Sequence, residues 1–193
     1  MQEVYYTAIA IQSGNKKVLL DYWYDRGCEL RKLWRYKEAI AAFEKVLEID
    51  TKFDKAWNEL GIVLNGLGRN HEAISAFEKA LEIDPKHHQA WCNLGTILNG
   101  LGRYKEAIAA YKQALEIDPK FHMARYSLGN VLKNLGRYSE AISAFETALE
   151  IDIKFVHHPW NGLGISLNGL GRNSEAIAAY EKALEIHPKY HFA

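Results

Sequence analysis

Cysteine is scarce: Cys28 and Cys92 are the two in 193 residues. They stand far apart in the chain, no bridge between them is expected, and an unbridged pair suits a reducing compartment. A charge excess is missing too, because 24 Lys and Arg balance 24 Asp and Glu. Nothing in that balance draws the chain to DNA, RNA or an anionic membrane. No apolar run is long enough to span a bilayer. The opening Met-Gln-Glu-Val-Tyr-Tyr-Thr-Ala-Ile-Ala-Ile has no basic residue before its short apolar stretch, so no secretory signal is expected. These absences describe a soluble, cytoplasmic protein without nucleic-acid or membrane partners.

Catalytic patterns are missing as well. There is no Gly-x-Ser-x-Gly, no Walker loop and no His-Glu-x-x-His. Histidines do gather, at His87-His88, His122, His157-His158 and His191. Neighbours in sequence do not share a helix face, and a metal needs ligands that converge on one point. They read as surface loop residues, and no enzyme activity, metal or cofactor is expected.

What is present is repetition. Glycines fall at Gly27, Gly61, Gly95, Gly129 and Gly164, and alanines at Ala39, Ala73, Ala107, Ala141 and Ala176, a period of 34 with one slip to 35. A period in this range marks a solenoid, whose units cannot bury an apolar face alone and must stack on neighbours. Around these residues other typed positions recur in phase. Lys55-Ala-Trp57-Asn-Glu-Leu60-Gly61 answers Gln89-Ala-Trp91-Cys-Asn-Leu94-Gly95, and each is followed by Leu-Asn-Gly-Leu-Gly-Arg and Glu-Ala-Ile-x-Ala-(Phe/Tyr)-x-x-Ala-Leu-Glu-Ile-Asp-Pro-Lys. This order resembles the tetratricopeptide repeat, a helix-turn-helix unit of 34 residues. The resemblance covers residues 20–190 and implies an all-α solenoid of five antiparallel helix pairs, at 20–53, 54–87, 88–121, 122–155 and 157–190. Residues 1–19 form a partly helical lead-in, and 191–193 match the start of a further unit. A longer parent protein is therefore expected, with an uncapped C-terminal face prone to head-to-tail self-association.

Local chemistry agrees with helix pairs. Trp57, Leu60, Gly61 and Leu64 share one face of a first helix (A), and Ala73, Phe77, Ala80 and Leu81 share one face of a second (B). Gly61 and Ala73 are small where the helices approach, and Phe77 fills the space beside them. Gly68 stands where a left-handed residue ends helix A. Pro85 drives Asp84 out of the helical region and ends helix B. The spans expected are 20–33, 36–49, 54–67, 70–83, 88–101, 104–117, 122–135, 138–151, 158–170 and 173–186. Departures occur at Trp34, which replaces the turn glycine, at Arg125, which replaces the tryptophan, and at Thr51 and Ile153, which replace the proline. The extra Val156 predicts an irregular seam.

The resemblance also implies where a ligand sits. In tetratricopeptide arrays the A helices line a concave surface that receives extended peptides or partner helices. Its positions here give a peptide-binding groove of Tyr24, Arg31, Lys55, Asn58, Asn65, Gln89, Thr96, Asn99, Tyr126, Asn130, Lys133, Asn161 and Asn168. Asn65, Asn99 and Asn168 share one position, and Lys133 takes it in the fourth repeat. Two readings stand: a side-chain amide ladder that holds a peptide backbone through its donors and acceptor, or a copied Leu-Asn-Gly-Leu-Gly segment that tolerates solvent. A chaperone-tail clamp is not expected, because Tyr24 and Cys28 occupy the first-helix positions that such a clamp needs. Arg35, Arg69, Arg103, Arg137 and Arg172 are expected to serve the end of each helix A, satisfying its carbonyls and dipole. The function expected is a protein-interaction scaffold. Alternatives are the recruiting arm of a larger enzyme or signalling protein and, disfavoured by the charge balance, an RNA-reading helical repeat.

Overall fold

The computed structural model describes residues 16–151 and 157–186. Among them the chain is all α, with ten helices and no strand. In order these are α1 (Lys16–Lys32), α2 (Tyr36–Ile49), α3 (Asp54–Gly66), α4 (Asn70–Ile83), α5 (His88–Gly100), α6 (Tyr104–Ile117), α7 (His122–Asn134), α8 (Tyr138–Ile151), α9 (His157–Gly169) and α10 (Asn173–Ile186). Odd-numbered helices are the A helices and even-numbered ones the B helices. The chain forms two compact bodies that divide between Ile97 and Leu98, inside α5. In the first, α1 packs on α2, α2 on α3 and α3 on α4; in the second, α6 packs on α7, α7 on α8, α8 on α9 and α9 on α10. The lead-in extends α1 back to Lys16. The rest of the lead-in, the seam at Val156 and the start of a further unit at His191 lie outside the described residues.

Each A helix ends in the same way. Gly68, Gly102, Gly136 and Gly171 take φ between 70° and 74°, and their N–H groups bond the carbonyls of Asn65, Asn99, Lys133 and Asn168. The following arginine N–H reaches one residue further back, as Arg69 does to Leu64 at 2.9 Å. Two orphan carbonyls are thereby satisfied by backbone alone. Trp34 holds the same place in the first turn at φ 60°, with Arg35 N–H on Leu30 at 2.9 Å. The loop geometry is imposed by the helix pair even where the residue is costly.

The arginine row therefore has a different job from the one expected. Its backbone, not its side chain, serves the carbonyls of helix A. The guanidinium turns to the glutamate three residues on: Arg35 on Glu38, Arg69 on Glu72, Arg103 on Glu106, Arg137 on Glu140 and Arg172 on Glu175, each through two bonds of 2.5–2.8 Å. These forks hold the five carboxyls below the ordinary glutamate range, chiefly through the hydrogen bond. All five pairs lie in water, and each fixes a carboxylate in the first turn of a B helix, where the dipole favours it.

Asp84 is extended before Pro85 as expected, but the proline is not required to end helix B. Asp84, before Pro85, takes φ −125°, but Asp50, before Thr51, takes φ −142° and is just as extended. The carboxylates of Asp50, Asp84 and Asp118 accept the N–H two residues on at 2.9–3.0 Å. This side-chain turn competes with the helix and stops it. The next A helix is then tied back: Trp57 Nε1 donates to the Thr51 carbonyl at 2.9 Å and Trp91 Nε1 to Pro85 at 3.0 Å. Arg125, in the tryptophan's place, makes the same bond to Pro119 at 3.1 Å. The fourth repeat keeps the function of the position while changing its residue.

The core is small residues met by rings. Ala39, Ala73, Ala107 and Ala141 have no exposed surface, and Phe43, Phe77, Tyr111 and Phe145 are buried. A Cβ on Gly61 would stand 2.7 Å from the Phe77 ring, one on Gly27 2.5 Å from Phe43 and one on Gly129 2.8 Å from Phe145. The small-against-large pairing read from the repeat is thus the contact that sets the spacing within a helix pair. On α10 the matching face is open: Ile177 is 58% exposed where Ile74 of α4 is 7%.

Candidate functional site

The A helices carry the candidate surface, and the structure sorts its residues into three kinds. The first kind is locked into the protein. Asn58 is 5% exposed, and its Oδ1 accepts the Asn93 amide at 2.9 Å, so it links α3 to α5 instead of lining a groove. Arg31 of α1 meets Glu59 of α3, Nε to Oε2, at 2.7 Å. Tyr24 packs its ring edge-on to Phe53 with centroids 5.3 Å apart and shares a hydrogen bond with Cys28. Glu59 and Asn93 were not anticipated as site residues. They occupy one repeat position, the residue after Asn58 and the residue after Cys92, and the polar character of both was the available signal.

Burial governs the chemistry of this cluster. It pushes the Tyr24 phenol well above its ordinary range, reinforced by Cys28 and Glu59. It also raises the Cys28 thiol, with Glu59 adding to the effect. The Glu59 carboxyl is lifted by burial against the opposing pull of Arg31. Cys92, buried in α5, is pushed up to about 12. Both cysteines are free, and both hold their protons at neutral pH. Neither is an activated thiolate.

The second kind is exposed. Lys55, Asn65, Gln89, Thr96 and Asn168 face solvent, and Asn99 and Asn161 are half-buried. Thr96 spends its hydroxyl on the Cys92 carbonyl at 3.0 Å. The amides of Asn65, Asn99 and Asn168 make no side-chain hydrogen bond among the described residues; it is their backbone carbonyls that close the turns. The third kind is intermediate. On α7, Tyr126 lies 6.1 Å from the Phe145 ring, and Lys133 approaches Asn130 Oδ1 at 3.4 Å. Burial lowers the Lys133 pKa below the ordinary lysine value.

The junction histidines need one correction. His87 is not a surface loop residue: it is 9% exposed, and its Nδ1 lies 2.9 Å from Asp54 Oδ2. His88 and His122 are half-buried. The side chains of His157 and His158, and the whole of His191, lie outside the described residues. No helix among the described residues is long and apolar enough to cross a membrane.

A tetratricopeptide-repeat family model matches residues 53–120 and 122–189, and a second model of the same repeat matches 20–53. Among solved structures, that of MamA protein is 27% identical, with 91% of this chain and 97% of that chain aligned at a TM-score of 0.76. YrrB, described as a TPR protein with an unusual peptide-binding site, is 25% identical over 95% of this chain and 92% of its own, with a TM-score of 0.73. MamA 41-end from Desulfovibrio magneticus RS-1, at 19% identity, 90% and 98% coverage and a TM-score of 0.77, shares the fold. No curated protein matches the chain significantly. Three repeats of evidence converge here, in the residue period, the glycine-ended helix pairs and the family match, and the chain belongs to the tetratricopeptide-repeat family.

Proposed function

We propose that the chain is a protein-interaction scaffold that receives an extended peptide on its A-helix faces. The observation that carries this reading is the set of side-chain amides at Asn65, Asn99 and Asn168, which recur at one position and have no partner among the described residues. An amide presents two donors and an acceptor, the complement of a peptide backbone. Lys55 and Gln89 add exposed polar groups in the first body. In the second, the partly desolvated Lys133, with Tyr126, Asn130 and Asn161, offers a cation to an acidic residue of the ligand. Tyr24 and Arg31 contribute through their fixed partners, as walls rather than as free donors. Asn58 drops out of the contact set because Asn93 already uses its oxygen.

The test is a peptide selected by display on the purified chain, whose affinity is then compared for the parent and for Asn99→Ala with Asn168→Ala, both in the second body, with Asn65→Ala measured separately for the first. Two lost hydrogen bonds at about 0.5–1.5 kcal/mol each weaken binding by about 5- to 150-fold, with the helical content unchanged by circular dichroism. Equal affinity would leave the repeated asparagines as duplicated turn residues and remove the amide ladder from the proposal.

A further inference from the structure

Asp54, Asp84 and His87 meet where α3 begins and where the chain passes from α4 to α5. One nitrogen of His87 and one oxygen from each carboxylate lie within 4.8 Å of one another. The His87 Nδ1 to Asp54 Oδ2 distance is 2.9 Å, and His87 is 9% exposed. All three belong to the first body.

The repeats themselves show that this cluster is specific to one junction. His87 follows Lys86 where Phe53 follows Lys52, Phe121 follows Lys120 and Phe155 follows Lys154. Asp54 opens its repeat where Leu20, His88, His122 and His157 stand in the others. Only the third member recurs, as Asp50, Asp118 and Asp152. At the first junction the phenylalanine simply packs, with Phe53 against Tyr24. Packing is met by a ring of that kind without polar atoms, whereas an imidazole and a carboxylate brought out of water carry a desolvation cost. Two positions have departed together from the repeat, and their atoms point at each other.

We infer that Asp54, Asp84 and His87 form a binding site for a divalent transition-metal ion of the zinc class. One imidazole and two carboxylates form a mixed nitrogen and oxygen set, which suits zinc better than calcium or magnesium with their all-oxygen shells. Ligand atoms that share a tetrahedral ion at about 2.0–2.2 Å stand roughly 3.3–3.6 Å apart. The observed 2.9 Å contact lies below that spacing and the other pairs lie within 4.8 Å, so the three ligand atoms already stand near the separation that an ion requires. Two carboxylates balance the charge of the ion, and Glu59 lies close enough to His87 to interact with it electrostatically, deepening the negative potential. The Lys86 N–H donates to Asp84 Oδ1 at 2.9 Å, which orients that carboxylate from the outer shell. A bound ion ties the first turn of α3 to the α4–α5 loop and stabilises the folded first body by linkage.

Isothermal titration of the full chain with zinc chloride alone, in a non-coordinating buffer, tests the site against His87→Phe and Asp54→Asn. The first variant installs the residue that three other junctions carry, and the second is nearly isosteric, so one of them reports even where the other folds poorly. Circular dichroism checks the helices of both. The expected result is one zinc per chain, bound at least about tenfold more weakly by each variant, with a zinc-dependent rise in Tm seen only in the parent. Zinc held equally well by the folded variants would place the ion on other histidines and overturn the inference. So would the absence of binding tighter than about 1 mM in the parent.

Discussion

The two bodies solve one packing problem in opposite ways. Consecutive A helices must be held at a fixed spacing, and the deciding residue is the one two places before the helix A glycine. In the first body that residue is Glu59 or Asn93, and each reaches back to a polar side chain of the preceding A helix, Arg31 or Asn58. In the second body it is Gly162, and the Phe145 ring of α8 fills the space: a Cβ on Gly162 would stand 2.5 Å from Phe145, which also covers Gly129 at 2.8 Å. Ser166 continues the pattern. It occupies the place of Val63, is fully buried, and turns its hydroxyl back to the Gly162 carbonyl at 2.8 Å. An ion pair and an amide pair thus link the A helices in one body, and a single ring between two glycines fills the gap in the other. The repeat tolerates both because helix A needs the gap to be filled, by side chains of either kind.

Exchanging these two solutions gives the largest effect. Gly162→Glu writes the residue of the second repeat into the fifth, and its Cβ collides with the fully buried Phe145 ring. Overpacking together with an unpartnered buried carboxylate is expected to cost about 3 kcal/mol or more. Glu59→Gly, the reverse exchange, creates no collision and is expected to cost less. Urea denaturation of both variants measures the difference. Equal losses would mean that Phe145 is free to shift and that the ring does not set the spacing.

Much of this arrangement is legible in the sequence, and the misses share a physical cause. Glycine and alanine at a fixed period report contacts inside one helix pair, where the partner is a set number of residues away, so Gly61 with Phe77 and the left-handed Gly68 are read directly. For the arginine row, proximity to the helix A carbonyls misleads, because the guanidinium turns to the glutamate of the next helix. The spacing Arg-x-x-Glu, present in all five repeats, carries the correct answer. The neighbour His88 says nothing about His87, whose partner Asp54 lies 33 residues away on another helix. The family's groove pattern puts Asn58 on the ligand surface, and its bond to Asn93 shows that the amide oxygen is already used. Contacts between repeats depend on side chains that vary from repeat to repeat, and the period is silent about them.

A second contrast lies in the turns that end the A helices. Gly136 and Gly171 close both turns of this kind that begin in α7 and α9, while the first body closes its first turn with Trp34 at φ 60°. A side chain in the left-handed region costs about 1–2 kcal/mol, and glycine returns part of that through its larger unfolded entropy. Trp34 is 78% exposed, and its main compensation is the Tyr36 ring 5.8 Å away. Trp34→Gly is therefore expected to stabilise the protein by about 0.5–1 kcal/mol, read as a rise in Tm. A fall in Tm would show that the Tyr36 contact outweighs the backbone strain.

The smallest expected effect separates the bodies by pH. Burial holds the Glu59 carboxyl above the ordinary glutamate range, so the folded chain binds that proton more tightly than the unfolded chain. Stability then declines as pH rises from about 4.3, the unperturbed glutamate value, through the raised folded value. The exposed glutamates of the arginine forks run the other way. Their pKa values are lowered by the arginine bonds, so their contribution is present above the ordinary value and is lost as pH falls through the folded one. Glu59→Gln removes the first body's opposing slope and leaves the forks intact. Relative to the parent, the variant should gain stability as pH rises above the ordinary glutamate value, seen as a urea midpoint difference that grows with pH from about 4.3 upward. A difference that shrinks over the same range would mean that the attraction of Arg31 for the ionised carboxylate exceeds the cost of burying it, and that the pair holds α1 to α3 by charge.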